Sequence, residues 1–432
     1  MRTAVENRPM APRHAQGMNV SLFDIVMGMG KAVDWLDSAL ADHHARVACV
    51  AESIAAEVGL SAQDRTHVLC AGLLHDIGAF SVKDRLEFLK FDLEGAEAHA
   101  EMGHRLVGSV GPLEQAAKLI RFHHTPWGDG RGHERVGDEV PFGSHVLHLA
   151  DRATVGVKSG KEVLSQVEGI MKLILDRKGK VFKPDLVEAF RSLAAKEAFW
   201  FEVTSPEIGS VLADRSVAGI SRMQPTDLEG MSELFCKIID FRSRFTATHS
   251  RGVAAAAERL SAVAGLSAEE CGTMKLAGYL HDIGKLAIPI EILDKPGALT
   301  REEWNVVKRH PFLTHRIIKG MGGLETVASW ASQHHERLDG LGYPFHLKGE
   351  EIPLGARILS VADVFTALAE DRPYRKALPQ ESVLRILLDM ARESCLDPEV
   401  ATLLADNYEE INFVRQMKQE RAKDEYRVFL QG

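Results

Sequence analysis

Residues 59–78 read GLSAQDRTHVLCAGLLHDIG, and residues 265–284 read GLSAEECGTMKLAGYLHDIG. The two stretches align without a gap and both close on LHDIG, so the chain carries two copies of one unit. The match extends in both directions. HHARVACVAESIAAEVGL (43–60) pairs with HSRGVAAAAERLSAVAGL (249–266), RFHHTPWGDGRG (121–132) with SQHHERLDGLG (332–342), and HLADRATV (148–155) with SVADVFTA (360–367). Further on, FKPDLVEAF (182–190) has a counterpart in LDPEVATLL (396–404). Spacing supports the pairing: His43 to His75 and His249 to His281 are both 32 residues, and His99 to His123 and His310 to His334 are both 24. His75 to His99 is 24 residues against 29 for His281 to His310, a difference that a loop absorbs.

Both copies read as helical. Residues 31–58 and 249–263 are rich in Ala, Leu, Glu and Arg with apolar residues near helical spacing, and alternating Val/Ile/Thr runs are scarce. The expected fold is all-α, with two tandem helical bundle domains joined by a linker. Residues 1–17 are expected to be a loose, disordered tail and 18–204 the first bundle. The Pro-, Gly- and Ser-punctuated stretch 205–230 reads as the linker, and 231–432 as the second bundle with its C-terminal helices. A chain of 432 residues suits two such cores better than one.

A net charge of −9 argues against a broad basic face for duplex nucleic acid, but not against a small anionic ligand held by a few local cations. The five cysteines, Cys49, Cys70, Cys236, Cys271 and Cys395, form no CxxC pair and read as free thiols of a reducing cytoplasm. No apolar run is long enough for a membrane span, and the first 17 residues lack the apolar core of a signal peptide. The expected location is the cytoplasm, with no membrane contact.

Imidazole and carboxylate together are good ligands for iron, manganese or zinc. The second half offers His249, His281, Asp282, His310, His334, His335 and Asp363. A lone histidine is usually an ordinary core or surface residue, but this whole set recurs in the first half in the same order. Seven ligands exceed one tetrahedral site and fit two ions sharing a carboxylate, for which Asp282 is the natural bridge.

HDIGK (281–285), HHERLDGLGYP (334–344) and ARILSVADVFTALAEDRPYR (356–375) together resemble the HD-GYP family of cyclic-dinucleotide phosphodiesterases, over about residues 235–410. The wider HD superfamily accounts for the first copy, so the two bundles are expected to be HD-type. The resemblance implies a di- or tri-metal centre, usually of iron or manganese, and hydrolysis of cyclic di-GMP. It implies one metal held by His249, His281, Asp282 and Asp363, and another by Asp282, His310, His334 and His335. Asp282 and Lys285 are the expected catalytic pair. Lys285, three residues beyond Asp282 and so on nearly the same helical face, would meet a substrate phosphate. Arg372 and Arg375 would add phosphate contacts. Gly342, Tyr343 and Pro344 form the loop that names the family and is linked to partner docking, diguanylate cyclases of the GGDEF type among the partners. Asp339 is expected near the leaving group or Lys285. Phe245 stands where some members carry a third-metal glutamate, with Ala39 its counterpart in the first half, and Ser243 stands where members usually have aspartate. Two metals are therefore expected in the second half, with the linear dinucleotide as the favoured product over mononucleotides.

The first half keeps His43, His75, Asp76, His99, His123, His124 and Asp151 but has Ala79 in place of the lysine and neither GYP nor DRPYR. A metal site without phosphate-binding cations suggests sensing, structure or a different substrate; a relict domain whose polar pocket holds water is the alternative. Three functions stand open for the whole chain. The first is a phosphodiesterase of cyclic di-GMP, with 3′,3′-cyclic GMP-AMP as a second substrate, since tandem-HD architecture occurs among enzymes using it. The second is a general HD phosphohydrolase of dNTPs or alarmones, against which GYP and DRPYR count. The third is an adaptor that binds a cyclic dinucleotide or a diguanylate cyclase without turnover, against which the intact ligands and Lys285 count.

Overall fold

The computed structural model describes residues 20–35, 41–79, 97–137, 139–158, 160–216, 223, 225–242, 248–371 and 375–431. The 1–17 tail and Ala39, Ser243, Phe245 and Arg372 lie outside the described residues. The described residues form helices and loops without a β-strand. In the first half the principal helices are α1 (Leu22–Asp34), α2 (His43–Glu57), α3 (Ala62–Leu74), α4 (Glu97–Val107), α5 (Glu114–Arg121), α6 (Phe142–Val155), α7 (Pro184–Ala194), α8 (Glu197–Val203) and α9 (Ile208–Arg215). In the second they are α10 (Pro225–Arg242), α11 (His249–Val263), α12 (Ala268–Leu280), α13 (Arg301–Val307), α14 (His310–Lys319), α15 (Glu325–Ser332), α16 (Leu354–Ala369), α17 (Gln380–Arg392), α18 (Pro398–Asp406) and α19 (Tyr408–Gln431).

The repeated motif builds the same local structure twice. Ser61 caps α3 by accepting from the Asp64 N–H at 3.1 Å, and Ser267 with Glu270 forms a reciprocal capping box on α12. Both helices run to a candidate ligand histidine, His75 or His281, at the C-cap. Leu69, Leu73 and Leu74 on α3 are fully buried, each worth roughly 1.5–3 kcal/mol. The helix pairs α2/α3 and α11/α12 pack closely because small residues meet. A Cβ on Gly72 would lie 2.6 Å from Ala48 Cα, and one on Gly278 would lie 2.5 Å from Ala254 Cα. Only a residue without Cβ allows the approach, and it fixes how each HD turn is presented.

The leading helices, α1 and α10, occupy equivalent places and tie the bundles together. α1 packs on α3 of its own bundle and on α14 and the HDIGK turn of the other; α10 packs on α12 and reaches α4. Each leading helix thus braces the helix that carries a candidate ligand histidine of the other bundle, His310 or His99. One continuous apolar cluster runs through both halves.

Part of the stretch read as linker is not loose chain. α9 lies within it, buries Ile208 and Leu212 one turn apart against α2, and sends Arg215 Nη1 to the Cys49 carbonyl at 3.2 Å. Pro and Ser punctuation marked the local breaks, but the apolar i, i+4 pair decides burial. The last helix, α19, lies along α11. The five cysteines are buried, and none forms a disulfide among the described residues. No helix of the described residues is long and apolar enough to cross a membrane.

Candidate metal centres

The second-half candidate ligands lie at or just beyond helix ends, apart from Asp363. His281 caps α12, His310 opens α14, His249 opens α11, and His334 and His335 follow α15; Asp363 lies inside α16. The last carbonyls of a helix have no intrahelical donor. His281 Nδ1 donates to Gly278 O at 2.7 Å, His334 Nδ1 to Ala331 O at 2.6 Å, and His310 Nδ1 to Val307 O, the end of α13, at 2.8 Å. A carbonyl only accepts, so Nδ1 carries a proton, and in the neutral form of each ring Nε2 turns its lone pair inward.

Two of those Nε2 atoms face Asp282. Its Oδ2 lies 3.2 Å from His281 Nε2, and its Oδ1 lies 3.4 Å from His310 Nε2. His249 Nε2 is 3.1 Å from Asp363 Oδ1. Three overlapping groups, His249/His281/Asp282, His281/His334/Asp363 and His310/His334/His335, each bring their ligand atoms within 4.8 Å of one another. His281 Nε2, Asp282 Oδ1, His310 Nε2 and His334 Nε2 are buried with no hydrogen-bond partner. A buried polar atom left so costs about 1–3 kcal/mol, and four converging ones fit metal ions rather than a dry core. Burial lowers His310 to about 3 and, helped by His281, His334 to about 4, which keeps both neutral as metal ligands must be. Burial would raise the Asp282 carboxyl, but the charges of His281 and Lys285 outweigh it and hold it well below the usual range.

Lys285 sits on the 3-10 turn Ile283–Ala287 and places Nζ 2.6 Å from Asp282 Oδ2. The turn is pressed against α14. A Cβ on Gly284 would lie 2.0 Å from His310 O, and Thr314 brackets the junction by accepting from Gly284 N–H and donating to His281 O, both at 3.0 Å. Thr314 was not singled out in the sequence; its signal is its place one turn after His310.

The GYP loop closes beside the ligand pair. The Tyr343 ring is 4.9 Å from that of His335, and its N–H donates to His335 O at 3.2 Å. A Cβ on Gly342 would lie 2.4 Å from Arg337 N, so glycine is needed there, and Pro344 follows through a cis peptide bond. Buried Glu336 anchors the loop, accepting from Phe345 N–H at 2.7 Å and Leu347 N–H at 3.0 Å. Sequence reasoning missed it, although it directly follows the two ligand histidines.

Two expected substrate contacts also bond to backbone or side chains near them in sequence. Asp339 accepts from Leu341 N–H at 2.8 Å and Arg337 Nε at 3.1 Å, and so shapes its own loop. Arg375 donates to Leu368 O at 3.1 Å and Ala367 O at 2.5 Å, satisfying the last carbonyls of α16. Of the expected phosphate-binding cations, Lys285 is the one the described residues set against the ligand cluster.

The first half repeats the cluster. His75 Nδ1 donates to Gly72 O at 2.9 Å and His123 Nδ1 to Ile120 O at 2.6 Å. Asp76 again divides its oxygens, Oδ2 at 3.3 Å from His75 Nε2 and Oδ1 at 3.1 Å from His99 Nε2. Asp76/His99/His123/His124 and His43/His75/Asp151 form two groups, and His75 Nε2, Asp76 Oδ1 and Asp151 Oδ1 are buried without a hydrogen-bond partner. These residues too fit metal. One cation touches this cluster: Arg152, buried where the second half has Val364, donates to Asp151 Oδ2 at 2.6 Å. It leaves Oδ1 facing His43 Nε2 at 3.6 Å.

Comparison with known proteins agrees with this geometry. Models of the HD domain match residues 40–156 and 233–400. The chain is 31% identical over 402 residues to 3′3′-cGAMP-specific phosphodiesterase 1 of Vibrio cholerae, covering 90% of this chain and 92% of that one. It is 41% identical over 185 residues to the cyclic di-GMP phosphodiesterase response regulator RpfG of Xanthomonas campestris, covering 41% and 47% of the two chains. The crystal structure of V-cGAP3, a cyclic GMP-AMP specific phosphodiesterase of V. cholerae, superposes with TM-score 0.65 over 90% of this chain and 98% of that one, at 24% identity, and so shares the fold. From the two HD matches and a relative alike over nearly its whole length, the chain belongs to the HD-GYP family, with a further HD domain ahead of the GYP-bearing one.

Proposed function

We propose that this protein is a metal-dependent phosphodiesterase that opens a cyclic dinucleotide to the linear dinucleotide at the second-half centre. The observation that carries this is Asp282, whose two oxygens face His281 and His310 separately while Lys285 stands at the same carboxylate. His249, His281, Asp282, His310, His334, His335 and Asp363 would hold two divalent ions, iron or manganese, which when bound activate water and offset phosphate charge. The chain's own residues do the rest. Backbone carbonyls keep the imidazole tautomers fixed, Lys285 makes a charge-assisted contact to a non-bridging phosphate oxygen, and Tyr343 walls the pocket beside His335. The first-half set would hold metal as well, in support of a distinct role.

Of the two candidate substrates we put 3′,3′-cyclic GMP-AMP first. The relative that shares both halves is named for it, whereas RpfG, named for cyclic di-GMP, matches less than half of this chain. A second-messenger substrate places the protein in the cytoplasm. A GGDEF-type diguanylate cyclase is a proposed partner, for which exposed Leu341 and Phe345 flank the GYP loop.

The test is chromatographic assay of purified protein, loaded anaerobically with iron or manganese, against both cyclic dinucleotides. Linear product that disappears in His281→Ala and Asp282→Ala is expected. Binding with no product under either metal would overturn the hydrolase reading in favour of an adaptor.

A further inference from the structure

A buried polar chain joins α19 to the first ligand of the second centre. Glu370, directly after α16, accepts from His249 Nδ1 through Oε1 at 2.8 Å and from Gln419 Nε2 through Oε2 at 2.7 Å. Gln419 Oε1 in turn accepts from Arg415, one turn earlier on α19, whose guanidinium also donates to Asn412 Oδ1 at 2.7 Å and lies 5.6 Å from the Phe365 ring centre. Glu370, Gln419 and Arg415 are all less than a tenth exposed. Gly252, one turn into α11, makes room: a Cβ there would lie 2.7 Å from Gln419 Nε2.

His249 needs such an acceptor for a reason of position. His281, His310 and His334 each find a carbonyl three residues back in the final turn of a helix. His249 is the first residue of α11, where the unsatisfied backbone groups are N–H donors, so no helical carbonyl is on offer. Its Nδ1 must be matched from another element. A lone glutamate is flexible, and Gln419 and Arg415 hold this one. Among the described residues the first half shows no such arrangement: where α19 lies along α11, short α8 and α9 lie on α2, and Arg215 engages Cys49 O further along that helix.

We infer that Glu370, held by Gln419 and Arg415 of the C-terminal helix, is a positioning residue that keeps the His249 proton on Nδ1 and turns Nε2 toward the metal. This rests on His249 being a ligand. It makes α19 part of the centre rather than a terminal prop.

Full-length protein carrying Asp76→Ala to silence the first centre is titrated with Mn²⁺ against a chelator, and ¹⁵N spectra of the metal-free protein report histidine tautomers. The His249 resonance is assigned by its loss in His249→Ala. Glu370→Ala is expected to weaken Mn²⁺ binding by about 10–100-fold and to release the Nδ1–H tautomer. Glu370→Gln, whose amide oxygen still accepts, should recover most of both, and Gln419→Ala should fall between. Circular dichroism checks that each variant is folded. Unchanged Mn²⁺ affinity in His249→Ala would sink the ligand assignment itself. Weakening in His249→Ala with unchanged affinity and tautomer in Glu370→Ala would overturn the positioning role alone.

Discussion

Gly284→Ala tests how the HD turn is held. The added Cβ would lie 2.0 Å from His310 O and 2.8 Å from Thr314 N, whereas ordinary contact begins at 3.4 Å. Helix α14 would have to retreat by about 1.4 Å, because the obstacle is backbone and no side chain can swing away. Metal sites accept ligand displacements of about 0.2 Å, so His310 leaves its group with His334 and His335. Overpacking of this kind costs roughly 1–3 kcal/mol of stability, and a misplacement near 1 Å costs turnover about 100-fold. Metal content per chain, thermal midpoint and chromatographic turnover are measured together. Gly78→Ala, whose Cβ would lie 2.2 Å from His99 O, should deplete the first centre instead. Gly272→Ala on α12, with nothing within 4 Å, is the control and should be neutral or slightly stabilising. Full metal content and turnover in Gly284→Ala would refute the close-packing argument.

Lys285→Met should leave metal content unchanged while lowering kcat/KM by roughly 10–100-fold, the worth of a charge-assisted contact; equal loss of metal would make Lys285 structural. Thr314→Val should cost about 1–3 kcal/mol by stranding Gly284 N–H and His281 O, and Thr314→Ser should restore it, read by denaturant unfolding. Metal-free protein should lose thermal stability as pH falls from 6.5 to 4. Burial lowers His43, His145 and His334 to about 4 and His148 and His310 to about 3, so in that window the unfolded chain binds more protons than the native one. Asp34, raised to about 8 by burial, and His75, whose burial is outweighed by the Asp76 charge that lifts it to about 9, act in the opposite sense, but His123, His124 and His335, also lowered by burial, add to the five. A midpoint that is flat or rises on acidification would contradict the buried neutral imidazoles.

The duplicated LHDIG stretches and equal histidine spacings determined two all-α bundles and two sets of candidate ligands, because helical register along one segment is a local property. Lys285 was legible for the same reason, three residues from Asp282. What lies across packed helices was not. Arg375 reads as a phosphate contact beside DRPYR yet satisfies the carbonyls of α16, and Asp339 turns into its own loop. The approach of His310 to Asp282, the bracing of α14 by α1, and the reach of Gln419 to Glu370 join residues dozens to hundreds of positions apart. Spacing states which face of a helix a residue occupies; only the packing of helices, set here by contacts as close as Gly284 against His310, decides what that face meets.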